Sequence, residues 1–107
     1  MAVRPYRKRY ILFEIISDKE INEKIIENTI FQSTKKLLGS MGTSNSKLKF
    51  MSNFWDGEKG VLRVEHTHVP KIKTSLAMID KIGRQKVILY SKKVFGTLKK
   101  VKKIYGG

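Results

Sequence analysis

The sequence predicts an α+β domain, an α/β sandwich assembled in the order β-α-β-β-α-β. Three observations predict it. Four stretches, 9–16, 48–55, 60–67 and 86–95, read as short strands, the first and third with clear apolar alternation. Two stretches between them carry isoleucine and leucine at helical spacing, one after the first strand and one after the third. Gly39, Asp56-Gly57, Gly83 and Gly96 punctuate the boundaries.

The elements follow in order. Residues 1–8 are basic, and Pro5 blocks early regular structure. RYILFEII at 9–16 sets Ile11, Phe13 and Ile15 on one face and Tyr10, Leu12, Glu14 and Ile16 on the other. With apolar residues on both faces, this strand is expected to be central and partly covered on both sides. Ser17 and Glu20 form an S-x-x-E capping box for the first helix. Asp18 and Glu20 suit its positive end, Lys35 and Lys36 its negative end, and Gly39 its C′ position. Ile26, Ile30 and Leu37, flanked by Phe31 and Leu38, make the expected core stripe. Ile21 and Ile25 lie round the helix from it and are candidates for contact with another protein chain.

GSMGTSNS at 39–46 is a loop by composition. The second strand, 48–55, ends at Trp55, expected as a lid on the core, and Asp56-Gly57 turns the chain. GVLRVEHT at 60–67 sets Leu62, Val64 and His66 opposite Val61, Arg63 and Glu65. Pro70 suits the first turn of the second helix; Val69, Ile72, Leu76 and Ile79 carry its spacing, and Gly83 ends it. The fourth strand runs over 86–95, and Thr97 can cap a short basic terminal helix. Right-handed crossovers close this order into one antiparallel sheet with both helices on one face and the other face open. That is the ferredoxin-like, RRM-like split βαβ arrangement.

At 107 residues the chain holds one core, so 1–107 is read as a single domain with basic extensions at 1–8 and 97–107. The absence of cysteine removes disulfides and thiol chemistry and fits a reducing compartment, here the cytoplasm. No apolar run approaches the ~20 residues of a membrane span, and no signal peptide is expected.

Charge is the strongest functional signal. Arg4, Arg7, Lys8 and Arg9 at one end, and Lys92, Lys93, Lys99, Lys100, Lys102 and Lys103 at the other, supply ten of the fourteen net positive charges with no acid among them. Such a footprint suits a polyanion, whose condensed counterions are released on binding. A membrane surface would require bulkier apolar residues than 97–105 offers. Nucleic acid is therefore the expected partner.

The third strand lacks the aromatics that stack bases in RNA-recognition domains, so phosphate and shape recognition is expected rather than base reading. Tyr10 and Tyr90 are expected to pack rather than stack. His66 and His68 have no third ligand at suitable spacing, since Glu65 alternates to the other face, so no metal is assigned. No acid–base set stands out, and the chain is read as non-catalytic. The alternatives are a ribosomal or other structural RNA-binding protein and a stand-alone acylphosphatase-like hydrolase.

KRYILFEI at 8–15, GVLRVEHTHV at 60–69, SLAMIDKI at 75–82 and VFGTLKKVKK at 94–103, taken in that order, resemble protein component 2 of archaeal ribonuclease P, the Pop-five family. The chain departs from the family pattern at Val64, where cysteine is frequent, and at Phe95, where serine is frequent. The resemblance implies an archaeal, tRNA-processing ribonucleoprotein that removes the 5′ leader of precursor tRNA. Its RNA subunit is the catalyst and holds the magnesium ions; this chain binds no cofactor. The implied partners are that RNA, precursor tRNA, and protein component 3, a TIM-barrel-like subunit with which the family forms a dimer of heterodimers. Arg4, Arg7, Lys8, Arg9, Arg63, Lys92, Lys93, Lys99, Lys100, Lys102 and Lys103 become the expected RNA contacts.

Overall fold

The computed structural model describes residues 7–105. In chain order they form β1 (Lys8–Ile16), α1 (Glu23–Asn45), β2 (Lys49–Phe50), β3 (Lys59–Glu65), α2 (Val69–Ala77), β4 (Lys81–Ile82), β5 (Gln85–Lys86), β6 (Ile88–Phe95) and α3 (Leu98–Tyr105). Four strands make one antiparallel sheet in the order β2-β3-β1-β6, the split βαβ arrangement, and β4 pairs with β5 as a separate hairpin. No helix among the described residues is long and apolar enough to cross a membrane.

β1 is central because both its faces are apolar. Ile11, Phe13 and Ile15, with Phe50, Leu62, Val64 and Leu89, meet Ile26 and Ile30 of α1 and Ile72 and Leu76 of α2. On the far face Tyr10, Leu12, Val61 and Phe95 meet Phe54 and Val101 of α3. The far face is therefore not open, as the sequence suggested. A short lysine-rich helix covers part of it, with Val101 and Leu98 joining its apolar cluster.

Local chemistry explains the shifted boundaries. Asn22, not Ser17, caps α1: its Oδ1 accepts from the Lys24 N–H at 2.8 Å, while the Ser17 hydroxyl donates to the Lys19 carbonyl. Ile21 precedes the cap by one residue and shares the core with Ile26, four residues past the cap, as in a hydrophobic staple. Gly39 does take a left-handed φ of 76°, but the chain then resumes as helix to Asn45. Thr43 and Ser46 hydroxyls donate to the Gly39 and Thr43 carbonyls, so small polar residues expected in a loop satisfy a helical turn instead.

Within α1 the buried stripe is Ile26, Ile30 and Thr34, while Leu37 is exposed. At Thr34 the two helices meet through small residues. Its hydroxyl lies 3.1 Å from that of Ser75, and the Ser33 hydroxyl donates to the Ser75 carbonyl. A leucine at this crossing would hold the helices apart.

The second strand is shorter than its alternation suggested. After Phe50 a tight turn at Ser52–Phe54 carries Phe54 round the sheet edge to the far-face core. The Asp56-Gly57 turn forms as expected, with Asp56 Oδ1 accepting from the Glu58 and Lys59 N–H groups. α2 ends at Ala77, and Gly83 does not terminate it; with φ 65° it opens the Gly83-Arg84 loop of the β4–β5 hairpin.

Trp55 is the expected lid, its ring stacked on Phe13 at 6.2 Å and tilted against Phe50 at 6.0 Å. Gly60 makes room for this cluster: a Cβ there would lie 2.6 Å from Phe13 Cζ and 3.1 Å from Trp55 Cε3. Gly60→Ala is expected to destabilise the fold by roughly 1–3 kcal/mol through overpacking. A lower urea midpoint with unchanged slope would be the sign of it; an unchanged midpoint would contradict this packing.

Candidate nucleic-acid interface

Antiparallel pairing decides where the charge goes. Tyr10 pairs with Arg63 on one side and Phe95 on the other, and Arg63 pairs with Lys49. The first residues of β1, the last of β3 and the last of β6 thus share one end of the sheet, from which α3 departs. Paired residues in an antiparallel sheet face the same way. Lys8, Lys49, Lys59, Arg63 and Lys93 therefore fall on the far face, the face that α3 partly covers. Lys99, Lys100, Lys102 and Lys103 are added by α3 itself. Thr97 fixes the start of α3 by accepting from the Lys100 N–H at 3.3 Å, and Val101, fully buried, holds it down.

The described part of the N-terminal basic stretch and the basic C-terminal strand and helix, distant in sequence, are neighbours here. Arg7 is exposed, and its carbonyl accepts from the His66 N–H at 2.8 Å, which ties the chain before β1 to the end of β3. Arg4 lies outside the described residues. Arg9 alternates onto the helix-covered side opposite Val64, with its guanidinium donating to the Lys8 carbonyl, and so stands apart from the far-face group. Lys92 sits at the bulge of β6 and approaches Glu14 at 3.3 Å. The other expected contacts among the described residues have no acid within ion-pair distance. Lys49 escaped the sequence reading, because only the pairing register puts it beside Arg63; Lys59, on the same face, pairs instead with Glu14 at the other end of the sheet. Arg63 has a buried Nε without a hydrogen-bond partner.

Five of the nine acids gather at the opposite end of the strands, while Glu65 pairs with Lys8 at the basic end. Glu14, Asp18, Glu20, Asp56 and Glu58 line a cleft of about 550 Å3 where β1 ends and β3 begins. Tyr90, there, donates to Glu14. That bond, more than Lys92, holds the Glu14 carboxyl below its ordinary range, and the same carboxylate pushes the Tyr90 phenol up. Tyr10 is buried under α3. Neither tyrosine is a free stacking platform.

The two histidines are not strand neighbours, because β3 stops at Glu65 and a tight turn follows. The turn brings both back onto the carboxylate that alternation had pointed away. His68 Nδ1 lies 2.7 Å from Glu65 Oε1, and His66 Nδ1 lies 2.8 Å from Oε2, though without hydrogen-bond alignment. The Thr67 hydroxyl and N–H also donate to Oε1. The hydroxyl most of all, with His68 behind it, pulls the Glu65 carboxyl from 4.5 to about 2.

A carboxyl lowered on folding stabilises the fold above its unfolded value, and that contribution disappears as pH falls from about 4.5 toward 2. Glu65→Gln is therefore expected to lower stability at neutral pH and to flatten the acid limb of the stability profile. Chemical denaturation between pH 7 and 3 checks it; parallel wild-type and variant profiles would count against the role. Among the described residues no three His, Cys, Asp or Glu side chains gather as a metal site.

A family model described as "Rpp14/Pop5 family" matches residues 9–105. The chain is 30% identical over 97 residues to ribonuclease P protein component 2 of Pyrococcus furiosus, covering 91% of this chain and 81% of that protein. It is 30% identical over 99 residues to the component 2 protein of Archaeoglobus fulgidus, covering 92% and 88%. A chain in the cryo-EM structure of yeast ribonuclease MRP superposes with a TM-score of 0.69 over 98% of this chain and 95% of that one, at 14% identity. That likeness is one of fold.

Proposed function

The chain belongs to the Rpp14/Pop5 family, and from that premise we propose that it is a protein subunit of ribonuclease P that binds and steadies the catalytic domain of the RNA subunit for removal of the 5′ leader from precursor tRNA. One observation carries the reading beyond the family: α3, docked on the sheet by Val101, gathers its four lysines with Lys8, Lys49, Arg63 and Lys93 at the end opposite the acid-lined cleft; at that basic end Glu65, held by Thr67 and His68, is the one acid among the paired strand residues. Cations fixed on a rigid scaffold neutralise closely spaced phosphates without needing to be ordered on binding. RNA strands that repel one another can then approach at a lower magnesium concentration. In this reading cleavage and its magnesium belong to the RNA, and no side chain of this subunit takes part in the chemistry.

The proposed protein partner is the TIM-barrel-like protein component 3, in a cytoplasmic particle that includes a dimer of heterodimers. Of the two residues first considered for that contact, Ile21 is withdrawn, because it is buried in the core below the α1 cap. Ile25 remains half exposed on α1 and is the proposed contact.

Reconstitution tests the function. The RNA subunit and partner protein, with and without this chain, are assayed on precursor tRNA over a magnesium series. Cleavage should rise and its magnesium requirement should fall when the chain is added. No change in either, or selective recovery of ribosomal RNA in a pull-down, would replace this reading with that of a structural RNA-binding protein of another particle.

A further inference from the structure

The far-face lysines do not form an even field. A groove of about 290 Å3 opens between the end of β6 and α3, lined by Lys93, Val94, Phe95, Gly96, Lys100 and Lys103. Three of its six lining residues are cations and none is an acid, whereas the cleft at the other end of the strands is lined by five acids and one lysine. We propose that this groove is a dedicated seat for one backbone phosphodiester, on which Lys93, Lys100 and Lys103 converge; the proposal rests on the RNA-binding reading above and specifies where that binding is centred.

Three features support convergence over a diffuse field. First, the lysines are placed. Lys93 holds its ammonium 5.3 Å from the centroid of the Phe95 ring, a cation–π arrangement, and Phe95 is itself buried under α3. Lys100 and Lys103, three residues apart on α3, are fixed on the other wall by the Thr97 cap and the buried Val101.

Second, the helix bears unrelieved repulsion. Lys99 and Lys103 are four apart, and Lys99–Lys102 and Lys100–Lys103 three apart, spacings at which like charges destabilise a helix. α3 contains no acid to offset this. An anion in the groove would relieve it for the Lys100–Lys103 pair.

Third, Gly96 is not explained by the chain itself. Its backbone is not left-handed, and a Cβ built there meets nothing within 4 Å. Glycine at such a position leaves room for an outside group to come close to the backbone. The groove lies at the lower end of the ~300–1,000 Å3 typical of small-molecule sites, large enough for a phosphate with its sugar.

Two variants of equal charge separate a seat from a field. Lys100→Ala/Lys103→Ala empties one wall of the groove; Lys99→Ala/Lys102→Ala removes the same charge from the same helix outside it. Binding of the full chain to ribonuclease P RNA is measured at one salt concentration. The groove pair is expected to lose roughly tenfold in affinity, the scale of one charge-assisted contact, and the other pair about threefold or less. Gly96→Trp fills the groove without altering charge and should lose affinity comparably, with circular dichroism confirming that it folds. Equal losses from the two pairs, or native affinity in a folded Gly96→Trp, overturns the groove and leaves the RNA-binding reading in place. Failure of the unaltered chain to bind this RNA sinks both.

Discussion

Replacing Lys99, Lys100, Lys102 and Lys103 together with alanine is expected to reduce the slope of log affinity for ribonuclease P RNA against log salt by roughly two to three. The magnitude follows from counterion release, ~0.7–0.9 of slope for each phosphate neutralised. It falls short of four full contacts because two of these lysines share a groove with Lys93. The fold should survive, since all four side chains are exposed and Val101, which docks α3, is untouched. Alanine also raises helix propensity and removes three like-charge spacings, so α3 should be more helical than before. Reconstituted cleavage with this variant should need more magnesium than with the native chain. A salt slope equal to that of the native chain would show that α3 faces water in the complex, and the interface would have to be sought elsewhere.

Val101→Asp is expected to release α3 while leaving every lysine in place. Val101 is fully buried against Tyr10, Leu12, Val61 and Phe95. Burial of such a side chain contributes about 1.5–3 kcal/mol, and an unpaired carboxylate in its place costs several kcal/mol. Val101 and Leu98 are the described apolar residues through which α3 joins this cluster, so one substitution reverses the balance for the whole helix. Hydrogen exchange should show lost protection in α3, with the paired strands and the core beneath α1 and α2 retained. RNA affinity should fall with it, because lysines on an undocked helix must be ordered when they bind. Native protection in α3 would mean that something other than Val101 holds the helix; native affinity despite loss of protection would mean that docking does not matter to binding.

These two variants divide the interface into what was legible along the chain and what was not. The lysines of α3 were evident as a run, Thr97 as their cap, and Gly96 as the break before them. The covering of the far face was not evident. Nothing local distinguishes a terminal helix that docks from one that extends into solvent, since Leu98 and Val101 are sparse anchors whose value depends on Tyr10 and Phe95 presenting a surface at the right place. Ile21 failed for a related reason. Counted along a helical wheel it falls off the core stripe, but it precedes the helix, and outside the helix that wheel has no meaning. Leu37 lost its expected burial to Thr34 because two helices crossed there, and close approach favours the smaller side chain. Gly83-Arg84 carried a hairpin signal that was obscured because Ile79 and Ile82 prolong the helical spacing of Ile72 and Leu76 beyond the true end of α2.

The sequence by itself determined the β-α-β-β-α-β order of the main sheet and its helices, though not the β4–β5 hairpin, together with the central position of β1, the lid role of Trp55, the concentration of positive charge and the family, because periodicity, turn chemistry and charge are properties of neighbouring residues. Only the tertiary structure decided that the start of β1 and the helix after β6 meet at one end, that Lys49 joins Arg63, that five of the acids collect at the other end, and that α3 closes over the sheet to form the groove at Gly96. Each of these depends on pairing between segments tens of residues apart. Such pairing is fixed by which apolar faces find one another in the folded chain, and no single stretch of sequence carries that information.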